Sequence, residues 1–133
     1  MRWVIPSNLA RSSRPGYRRE GGGPVSQDEV DEWLSQLRRE DITAIICLLD
    51  DELALYSSLP CDLVSYYRQK GFAVEHVRVA DYAEPPLRLD QLGEVWQAYM
   101  RLPKPVLIHC SAGMDRTGLA VSHILSKSNH PAE

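Results

Sequence analysis

Long apolar runs are missing from this sequence. No segment approaches the roughly 18 to 20 consecutive apolar residues that cross a bilayer as a helix. The apolar part of the N-terminal stretch Met1–Pro6 is also too short for a signal peptide. We therefore expect no membrane partner and a cytoplasmic location.

An excess of charge of one sign is also lacking. The 133 residues include 15 Lys and Arg against 18 Asp and Glu, a formal net charge of -3. Nucleic acids are bound through an excess of basic side chains, so the bulk charge does not indicate a nucleic-acid partner. With 44% hydrophobic and 25% charged residues, the composition is that of an ordinary globular protein. We expect residues 1–133 to form one domain.

Cysteine is too scarce for a disulfide framework. The three cysteines, Cys47, Cys61 and Cys110, are odd in number, and their spacings match no zinc pattern. They suit a reducing compartment, and we expect neither a metal nor another cofactor. Cys47 lies in an apolar, strand-like run and is most simply a core residue. A disulfide between Cys47 or Cys61 and an oxidised Cys110 stays open, because the sequence does not show their proximity.

Apolar periodicity predicts alternating strands and helices. A capping-box pattern at Ser26 and Glu29 begins one helix, and the β-branched run Ile42–Leu49 is typical of a strand covered on both faces. The predicted strands lie within 2–10, 42–49, 72–79 and 106–108, and the predicted helices at 27–39, 61–70, 88–101 and from the following loop to about 127. This order implies an α/β domain with a parallel-dominated sheet and helices on both faces. The stripe of the third helix that is predicted to face the core consists of Leu89, Leu92, Val95, Trp96 and Tyr99.

Two charged clusters have a simple structural interpretation. Residues 11–25 combine Ser, Pro and three consecutive glycines with the arginines Arg11, Arg14, Arg18 and Arg19, a composition that predicts a loop. We favour a mobile, solvated loop; the alternative is that some arginines border a catalytic mouth and attract anionic substrates. We interpret the acidic triplet Asp50–Glu52 as a strand-end loop and helix start, since no further ligand spacing indicates a cation site.

The stretch His109–Gly118 carries the strongest chemical signal. It follows the apolar run Val106–Ile108 and precedes a helix-like run, so it predicts a strand, a tight loop and a helix. The first amides of a helix have no intrahelical acceptor and can converge on an anion. Gly113 permits the turn that points those amides inward, and Arg116 adds a planar cationic fork for two phosphate oxygens. We interpret the loop as a phosphate cradle.

Cys110 is predicted to lie beneath this cradle. The amides and the helix dipole that attract a phosphate also favour thiolate over thiol, which makes Cys110 a nucleophile near neutral pH. Thr117 can supply a hydroxyl to the sulfur. The simpler alternative is a buried structural cysteine beside a helix-capping glycine.

The string His-Cys-Ser-Ala-Gly-Met-Asp-Arg-Thr-Gly resembles the His-Cys-x5-Arg signature of protein tyrosine and dual-specificity phosphatases. The opening Arg2–Pro6, followed by Leu9 and Ala10, is similar to that of small atypical, VHZ-like members. The resemblance covers nearly the whole chain in order and implies the compact phosphotyrosine protein phosphatase fold. Family members usually continue for one or two further helices, whereas about fifteen residues follow Gly118. We therefore expect either a minimal domain without those C-terminal helices or a truncated chain.

The resemblance also implies the roles of the site residues. The catalytic set is Cys110, Arg116, Asp81, His109 and Thr117, and the phosphate-binding set is Ser111, Ala112, Gly113, Met114, Asp115 and Arg116. Asp81 takes the place of the general acid, in a loop after a strand and some thirty residues before the cysteine. Glu84 is the competing candidate, but two prolines follow it directly, and we favour Asp81. The role implied for His109 is to orient the loop and support the thiolate.

Asp115 departs from the family pattern, which most often has glycine immediately before the arginine. Its carboxylate either points away and caps the following helix or offsets part of the local positive charge. Some phosphoinositide phosphatases carry Asp-Arg-Thr in the equivalent loop. Those loops often contain basic residues, whereas Ser111, Ala112 and Met114 are uncharged.

The reaction implied by the resemblance requires no metal and passes through a phosphocysteine. Asp81 protonates the leaving oxygen and then deprotonates the attacking water. We expect a monomeric phosphatase of phosphorylated proteins or peptides, with activity on phosphotyrosine and on phosphoserine or phosphothreonine. Three alternatives stay open: a phosphatase of phosphoinositides or other non-protein phosphomonoesters, an RNA 5'-phosphatase, and a catalytically silent phosphate-binding module.

Overall fold

The strands and helices follow the apolar patterns of the sequence. A computed structural model describes residues 1–20 and 22–128; Gly21, within the predicted loop, and His130, to which no role is assigned, lie outside the described residues. The strands are β1 (Arg2–Ile5), β2 (Leu9–Ser12), β3 (Ala44–Cys47), β4 (Ala73–His76) and β5 (Val106–His109). The helices are α1 (Gln27–Arg39), α2 (Leu63–Gln69), α3 (Leu89–Arg101) and α4 (Asp115–Ser128), with a 3-10 helix at Asp51–Tyr56. None of the helices in this described part is long and apolar enough to span a bilayer.

The sheet confirms the prediction of a parallel-dominated α/β domain. Its strand order is β1-β2-β5-β3-β4; within the described residues, β1 and β2 pair in antiparallel orientation and the other three neighbouring pairs are parallel. In the centre, Ile46 of β3 lies opposite Ile108 of β5. The carboxyl ends of β3, β4 and β5 therefore meet at one edge of the sheet, where open α/β sheets place their ligands.

The central strands are covered on both faces, as their composition predicts. Along β3, Ile46 packs into the core that includes α3 and α4, whereas its neighbour Ile45 packs into the core that includes α1 and α2. The same alternation holds on β5 for Ile108 and Leu107. Each of these four side chains is fully buried, and each such burial contributes about 1.5 to 3 kcal/mol before entropic costs. The rigid centre of the sheet thus ends directly at the segment that carries Cys110.

The start of α1 also confirms a local signal. The Ser26 hydroxyl accepts a hydrogen bond from the backbone amide of Glu29 at 3.2 Å, and the Ser26 amide donates to the Glu29 carboxylate at 3.4 Å. This reciprocal pair satisfies two amides that the helix leaves without partners. Helix α1 spans the 13 residues that the capping box and apolar spacing predict.

Two sequence expectations are wrong in detail. Arg11 and Ser12 belong to β2 and not to a loop, because β2 pairs with β1 on one side and β5 on the other, and these backbone bonds do not depend on apolar side chains. Leu89 is 88% exposed at the first position of α3, so it lies outside the helix stripe that contacts the core. Val95, two turns further on, is fully buried, as that stripe predicts.

Candidate active site

The loop between β5 and α4 requires glycine at one position. Gly113 has φ +78°, a left-handed conformation that side chains with a Cβ rarely adopt. A Cβ built on Gly113 would lie 2.6 Å from the carbonyl oxygen of Ser12 and 2.8 Å from the amide nitrogen of Ser13. The loop therefore turns sharply while its backbone packs against the end of β2.

This loop forms one wall of a small cavity of about 110 Å³. The cavity is lined by Tyr17, Asp81, Tyr82, Cys110, Ser111, Ala112, Met114, Asp115 and Arg116. Cys110 is only 3% exposed, so its thiol is reached through this cavity. A larger cavity of about 680 Å³ lies between β4 and α3, and no residue of the loop lines it. Size alone therefore does not locate the site.

Arg116 is enclosed beside the cavity and held by fixed acceptors. Its Nη1 donates to the carbonyl oxygens of Val79 at 2.7 Å and Leu48 at 3.3 Å, both beyond the carboxyl ends of sheet strands. Its Nη2 donates to the carboxylate of Glu52 and lies 3.5 Å from that of Asp81. The guanidinium is thus oriented before any substrate binds.

Arg116 and Glu52 each stabilise the charged form of the other. Burial would lower the pKa of Arg116, but the hydrogen bond and the charge of Glu52 raise it overall. Burial would raise the pKa of Glu52, but hydrogen bonds from Arg116 and from the Asp50 amide lower it overall. Both groups are therefore charged near neutral pH, and much of the positive charge of Arg116 is balanced inside the protein.

His109 lies behind Cys110 in a closed aromatic environment. It is fully buried and makes edge contacts with the rings of Trp33 and Tyr67 at centroid distances of 5.2 and 5.9 Å. Its Nδ1 is 3.1 Å from the carbonyl oxygen of Cys110, and its Nε2 is 3.0 Å from the Tyr67 hydroxyl. Since a carbonyl only accepts, Nδ1 carries the proton and Nε2 accepts from Tyr67.

Burial also keeps the imidazole of His109 neutral. The hydrogen bond to Cys110 opposes the effect of burial and the charge of Arg116 reinforces it, so that the pKa of His109 is lowered to about 4. A neutral ring with both nitrogens bonded holds the backbone around Cys110. This arrangement is consistent with the orienting role that the family resemblance implies.

The segment between β4 and α3 brings Asp81 into the cavity wall. Asp81 is 37% exposed, one carboxylate oxygen accepts the Tyr82 amide at 3.0 Å, and the other lies 3.5 Å from Arg116. Glu84, the competing candidate, lines an adjoining cavity of about 370 Å³ and does not line the cavity of Cys110. Asp81 is therefore the better placed of the two carboxylates.

The N-terminal arginine segment is not entirely a solvated loop. Arg11 donates to the carbonyl oxygens of Gly113 and Met114 at 2.8 and 3.3 Å. Arg14 is 6% exposed, and its Nε donates to the Ser111 hydroxyl at 3.2 Å. The solvated interpretation that we favour from composition is wrong for these two arginines, because β2 runs beside β5 and carries them to the loop.

The geometry agrees with a comparison to known families. Residues 21–129 match the family described as "Polymorphic toxin system, DSP-PTPase phosphatase". The chain belongs to this family. No curated protein matches it.

Solved structures share the fold of this DSP-PTPase domain. A mutant form of Tk-PTP is 26% identical, with a TM-score of 0.64, over 95% of this chain and 71% of that chain. Kinase associated phosphatase, with its catalytic cysteine replaced by serine, is 20% identical over 90% and 65%, with a TM-score of 0.65. The PP-IP phosphatase SIW14 from S. cerevisiae is 22% identical over 97% and 72%, with a TM-score of 0.60. The phosphatase fold predicted from the signature is confirmed; closeness to VHZ-like members stays a prediction.

The structure assembles most of the predicted set around one cavity, whereas His109, Gly113 and Thr117 do not line it. Asp115 is exposed at the first position of α4 and lines the cavity mouth. Thr117 is fully buried, and within the described residues its hydroxyl has no hydrogen-bond partner. The predicted contact of that hydroxyl with the Cys110 sulfur is therefore not present in this DSP-PTPase domain.

Four residues of the site receive no individual role from the sequence. For the arginines among them, a place at the catalytic mouth is only the alternative interpretation of their cluster. Glu52 belongs to the acidic triplet that we interpret as structural, and Tyr67 is predicted only as part of a helix face. Arg11 and Arg14 stand in a segment typical of loops. No local pattern distinguishes these residues from surface or core neighbours, because each acquires its partner through the sheet order. The family resemblance covers nearly the whole chain, but it implies roles only for residues of the signature and for Asp81, so it does not identify these four either.

Neither of the other two cysteines lines the cavity of Cys110. Cys47 is a buried core residue, as predicted, and burial raises the pKa of its thiol to about 12. Cys61 is partly buried. Among residues 1–20 and 22–128, no three His, Cys, Asp or Glu side chains are grouped to hold a metal ion.

Proposed function

We propose that the chain is a cysteine-dependent phosphatase of phosphorylated proteins or peptides. The observation that carries the proposal is that Cys110, Arg116 and Asp81 line one cavity of about 110 Å³. A nucleophile, a fixed cation and a carboxylate on one small cavity are the groups that phosphoryl transfer through a covalent intermediate uses. Membership of a phosphatase family supports the same chemistry.

In the first step, the Cys110 thiolate attacks phosphorus. Arg116 and the loop amides bind the equatorial oxygens, whose charge they neutralise as the P–O bond to the leaving group breaks. The protonated carboxyl of Asp81 gives its proton to the leaving oxygen. The products are a free hydroxyl on the substrate and a phosphocysteine on the enzyme.

In the second step, water hydrolyses the phosphocysteine. The Asp81 carboxylate, now ionised, accepts a proton from the water as its oxygen attacks phosphorus. The S–P bond breaks, the thiolate of Cys110 is restored, and inorganic phosphate leaves. Neither step uses a metal ion or other cofactor. We further propose a monomer that works in the reducing cytoplasm, where the thiol stays free.

The dimensions and rim of the cavity support a protein substrate. A volume of about 110 Å³ accommodates a phosphoryl group and little more, so the leaving group lies at the mouth. At the mouth, the leaving group would contact Tyr17, Tyr82 and Met114. Of these side chains, Tyr82 is 97% and Met114 67% exposed. A rim made of two tyrosines and a methionine, with Asp115 as its charged member, suits both an aromatic and an aliphatic phosphorylated side chain. Dual specificity is therefore our hypothesis.

The neighbouring surface disfavours substrates that carry several phosphates. The adjoining cavity of about 370 Å³ contains the carboxylates of Asp81, Glu84 and Asp115. Among the described residues that line it, the cation is Arg116, which is already paired with Glu52. A second phosphate placed there would meet like charge, which costs binding energy. This argues against an activity like that named for the PP-IP phosphatase SIW14, although the folds are alike.

The test is hydrolysis of p-nitrophenyl phosphate between pH 4 and 9 in the presence of a chelator. We expect turnover in the wild type, none in Cys110→Ser, and an altered basic limb of the pH profile in Asp81→Ala. Glu84→Ala is the matched control and should keep the wild-type profile. If Asp81→Ala keeps the wild-type pH profile and Glu84→Ala changes it, the assignment of Asp81 as the general acid is wrong. A folded wild type that binds phosphate without turnover would instead be a binding module.

Substrate class is tested with matched phosphopeptides, a multiply phosphorylated inositol and a 5'-phosphorylated RNA. We expect comparable kcat/KM for phosphotyrosine and phosphothreonine peptides and lower values for the inositol and RNA. A preference of several hundredfold for phosphotyrosine would refute dual specificity. A preference for the inositol or RNA would refute the protein substrate while leaving the cysteine chemistry intact.

A further inference from the structure

Arg11 connects the N-terminal hairpin to the phosphate loop. In the parallel pairing of β2 and β5, Arg11 lies opposite Ile108, two residues before Cys110. Its Nη2 donates to the carbonyl oxygen of Gly113 at 2.8 Å and to that of Met114 at 3.3 Å. One side chain, separated from the loop by about a hundred residues in sequence, thus holds two successive peptide groups.

These bonds determine which way the loop amides point. In a trans peptide group, the carbonyl and the following amide point in opposite directions. Because Arg11 holds the Gly113 and Met114 carbonyls on the side of β2, the amides of Met114 and Asp115 point away from β2. Met114 and Asp115 both line the cavity of Cys110. The Met114 carbonyl also accepts a hydrogen bond from the Gly118 amide of α4 at 2.7 Å, so Arg11 shares its orientation with the helix. With both carbonyls held in this way, the two amides face the place where phosphate is proposed to bind.

The backbone of the N-terminal segment also contacts the loop, at the residue that follows Cys110. The amide of Arg14 donates to the carbonyl oxygen of Ser111 at 2.9 Å, which by the same geometry turns the Ala112 amide toward the cavity. The N-terminal segment consequently fastens the loop at three carbonyls. Of these contacts with loop carbonyls, those from Arg11 are made by a side chain, so a substitution removes them without altering the backbone.

The charge of Arg11 differs from that of Arg116 in having no direct counter-ion. Arg116 is paired with Glu52 and Asp81. In residues 1–20 and 22–128, no carboxylate oxygen lies within 4.0 Å of the Arg11 guanidinium. Burial and the neighbouring Arg2 lower the pKa of Arg11, whereas the negative charge of a Cys110 thiolate raises it. The geometry places this guanidinium in hydrogen-bond contact with the loop that carries Cys110, so its positive charge lies beside that loop.

We propose that Arg11 is a positioning residue of the phosphate loop. It orients the amides of Met114 and Asp115 toward the bound phosphate and places a positive charge beside the loop that carries Cys110. The inference rests on the proposed phosphatase function and extends it to a residue outside the His-Cys-x5-Arg signature.

The test separates charge from orientation with two substitutions. Arg11→Met removes both, while Arg11→Lys keeps the charge but replaces the guanidinium by an ammonium on a differently shaped side chain. The matched control is Arg39→Met, which removes an exposed arginine on α1 whose partner is the equally exposed Glu32. Folding of each variant is followed by circular dichroism and thermal unfolding.

Two readouts are made on each variant. For Arg11→Met, we expect kcat/KM for p-nitrophenyl phosphate to fall about tenfold to a hundredfold because two oxyanion donors lose their orientation. We also expect the rate of Cys110 alkylation by iodoacetamide at pH 6.5 to fall about threefold to tenfold, because a positive charge beside the loop is lost. For Arg11→Lys, alkylation should stay within twofold of the wild type while kcat/KM remains about tenfold low. Arg39→Met should match the wild type in both.

The outcomes are distinct. If folded Arg11→Met keeps both rates within twofold of wild type, the proposal is wrong. If Arg11→Met does not fold, Arg11→Lys decides: wild-type kcat/KM would refute the orienting role. Alkylation of Cys110 needs no turnover, so an effect of Arg11 on that rate can be measured even if the proposed phosphatase function fails. Conversely, a wild type active on p-nitrophenyl phosphate with no effect of Arg11 would overturn only this inference.

Discussion

Arg116 and Glu52 form an enclosed ion pair across 64 positions of sequence. The side chains are 2% and 13% exposed, and the Nη2 of Arg116 donates to the Glu52 carboxylate. Glu52 belongs to the 3-10 helix after β3, whereas Arg116 is in the first turn of α4. The pair therefore joins the segments that follow two adjacent strands, and it orients the cation of the site.

Replacing Glu52 by glutamine should destabilise the protein. The substitution Glu52→Gln keeps the side-chain volume but leaves the buried charge of Arg116 with Asp81 as its remaining carboxylate. We expect the free energy of unfolding, measured by urea denaturation at pH 7, to fall by about 2 to 3 kcal/mol. Glu32→Gln, which breaks the exposed pair with Arg39, should change it by less than about 0.5 kcal/mol. Equal changes in the free energy of unfolding for the two substitutions would show that burial of the Arg116–Glu52 pair does not add to stability.

The neutral state of His109 predicts a loss of stability in weak acid. Its pKa is about 4 in the folded protein, below the ordinary value of 6.5, so the unfolded chain binds this proton more readily. Stability from this group is present above pH 6.5 and is lost as pH falls toward 4, by on the order of 3 kcal/mol at most. His109→Asn should lose correspondingly less between pH 7 and 4.5. An equal loss of unfolding free energy between pH 7 and 4.5 in the two proteins would show that His109 is not its cause.

Gly113→Ala should disrupt the loop. The added Cβ would lie 2.6 Å from the Ser12 carbonyl oxygen and would stand at a positive φ. We expect a loss of about 2 to 4 kcal/mol of unfolding free energy and most of the phosphatase activity. The control is Gly93→Ala in α3, where nothing lies within 4 Å of the new Cβ and the helix should gain about 0.5 to 1 kcal/mol. Thermal unfolding and p-nitrophenyl phosphate turnover measure both effects.

Thr117→Val tests the buried hydroxyl without a partner. Removing an unsatisfied polar atom should leave the free energy of unfolding unchanged or raise it by up to about 1 kcal/mol. If the hydroxyl contacts the Cys110 sulfur during turnover, kcat should nevertheless fall about tenfold. Thr117→Ser keeps the hydroxyl and should retain kcat while losing about 1 kcal/mol from the missing methyl. Wild-type kcat in Thr117→Val would exclude a catalytic use of this group.

The elements that can be predicted are those with local signals. The capping box at Ser26, the doubly buried run around Ile45 and the glycine turn at Gly113 each depend on residues a few positions apart. The end of the second strand is not predictable in this way, because Arg11 and Ser12 show no apolar alternation and strand pairing on both sides stabilises them. The prediction for Leu89 fails because periodicity defines a stripe but not where the neighbouring elements end.

By itself, the sequence determined the family, the α/β alternation and the strand-loop-helix that carries Cys110 and Arg116. These features are contiguous, and steric limits and hydrogen bonding act on them locally. Only the tertiary structure decided that Glu52 pairs with Arg116 and that Arg11 holds Gly113. Such contacts depend on the strand order β1-β2-β5-β3-β4, which brings distant segments to one edge of the sheet. No spacing along the chain encodes that order, because it follows from burying both faces of the whole sheet at once.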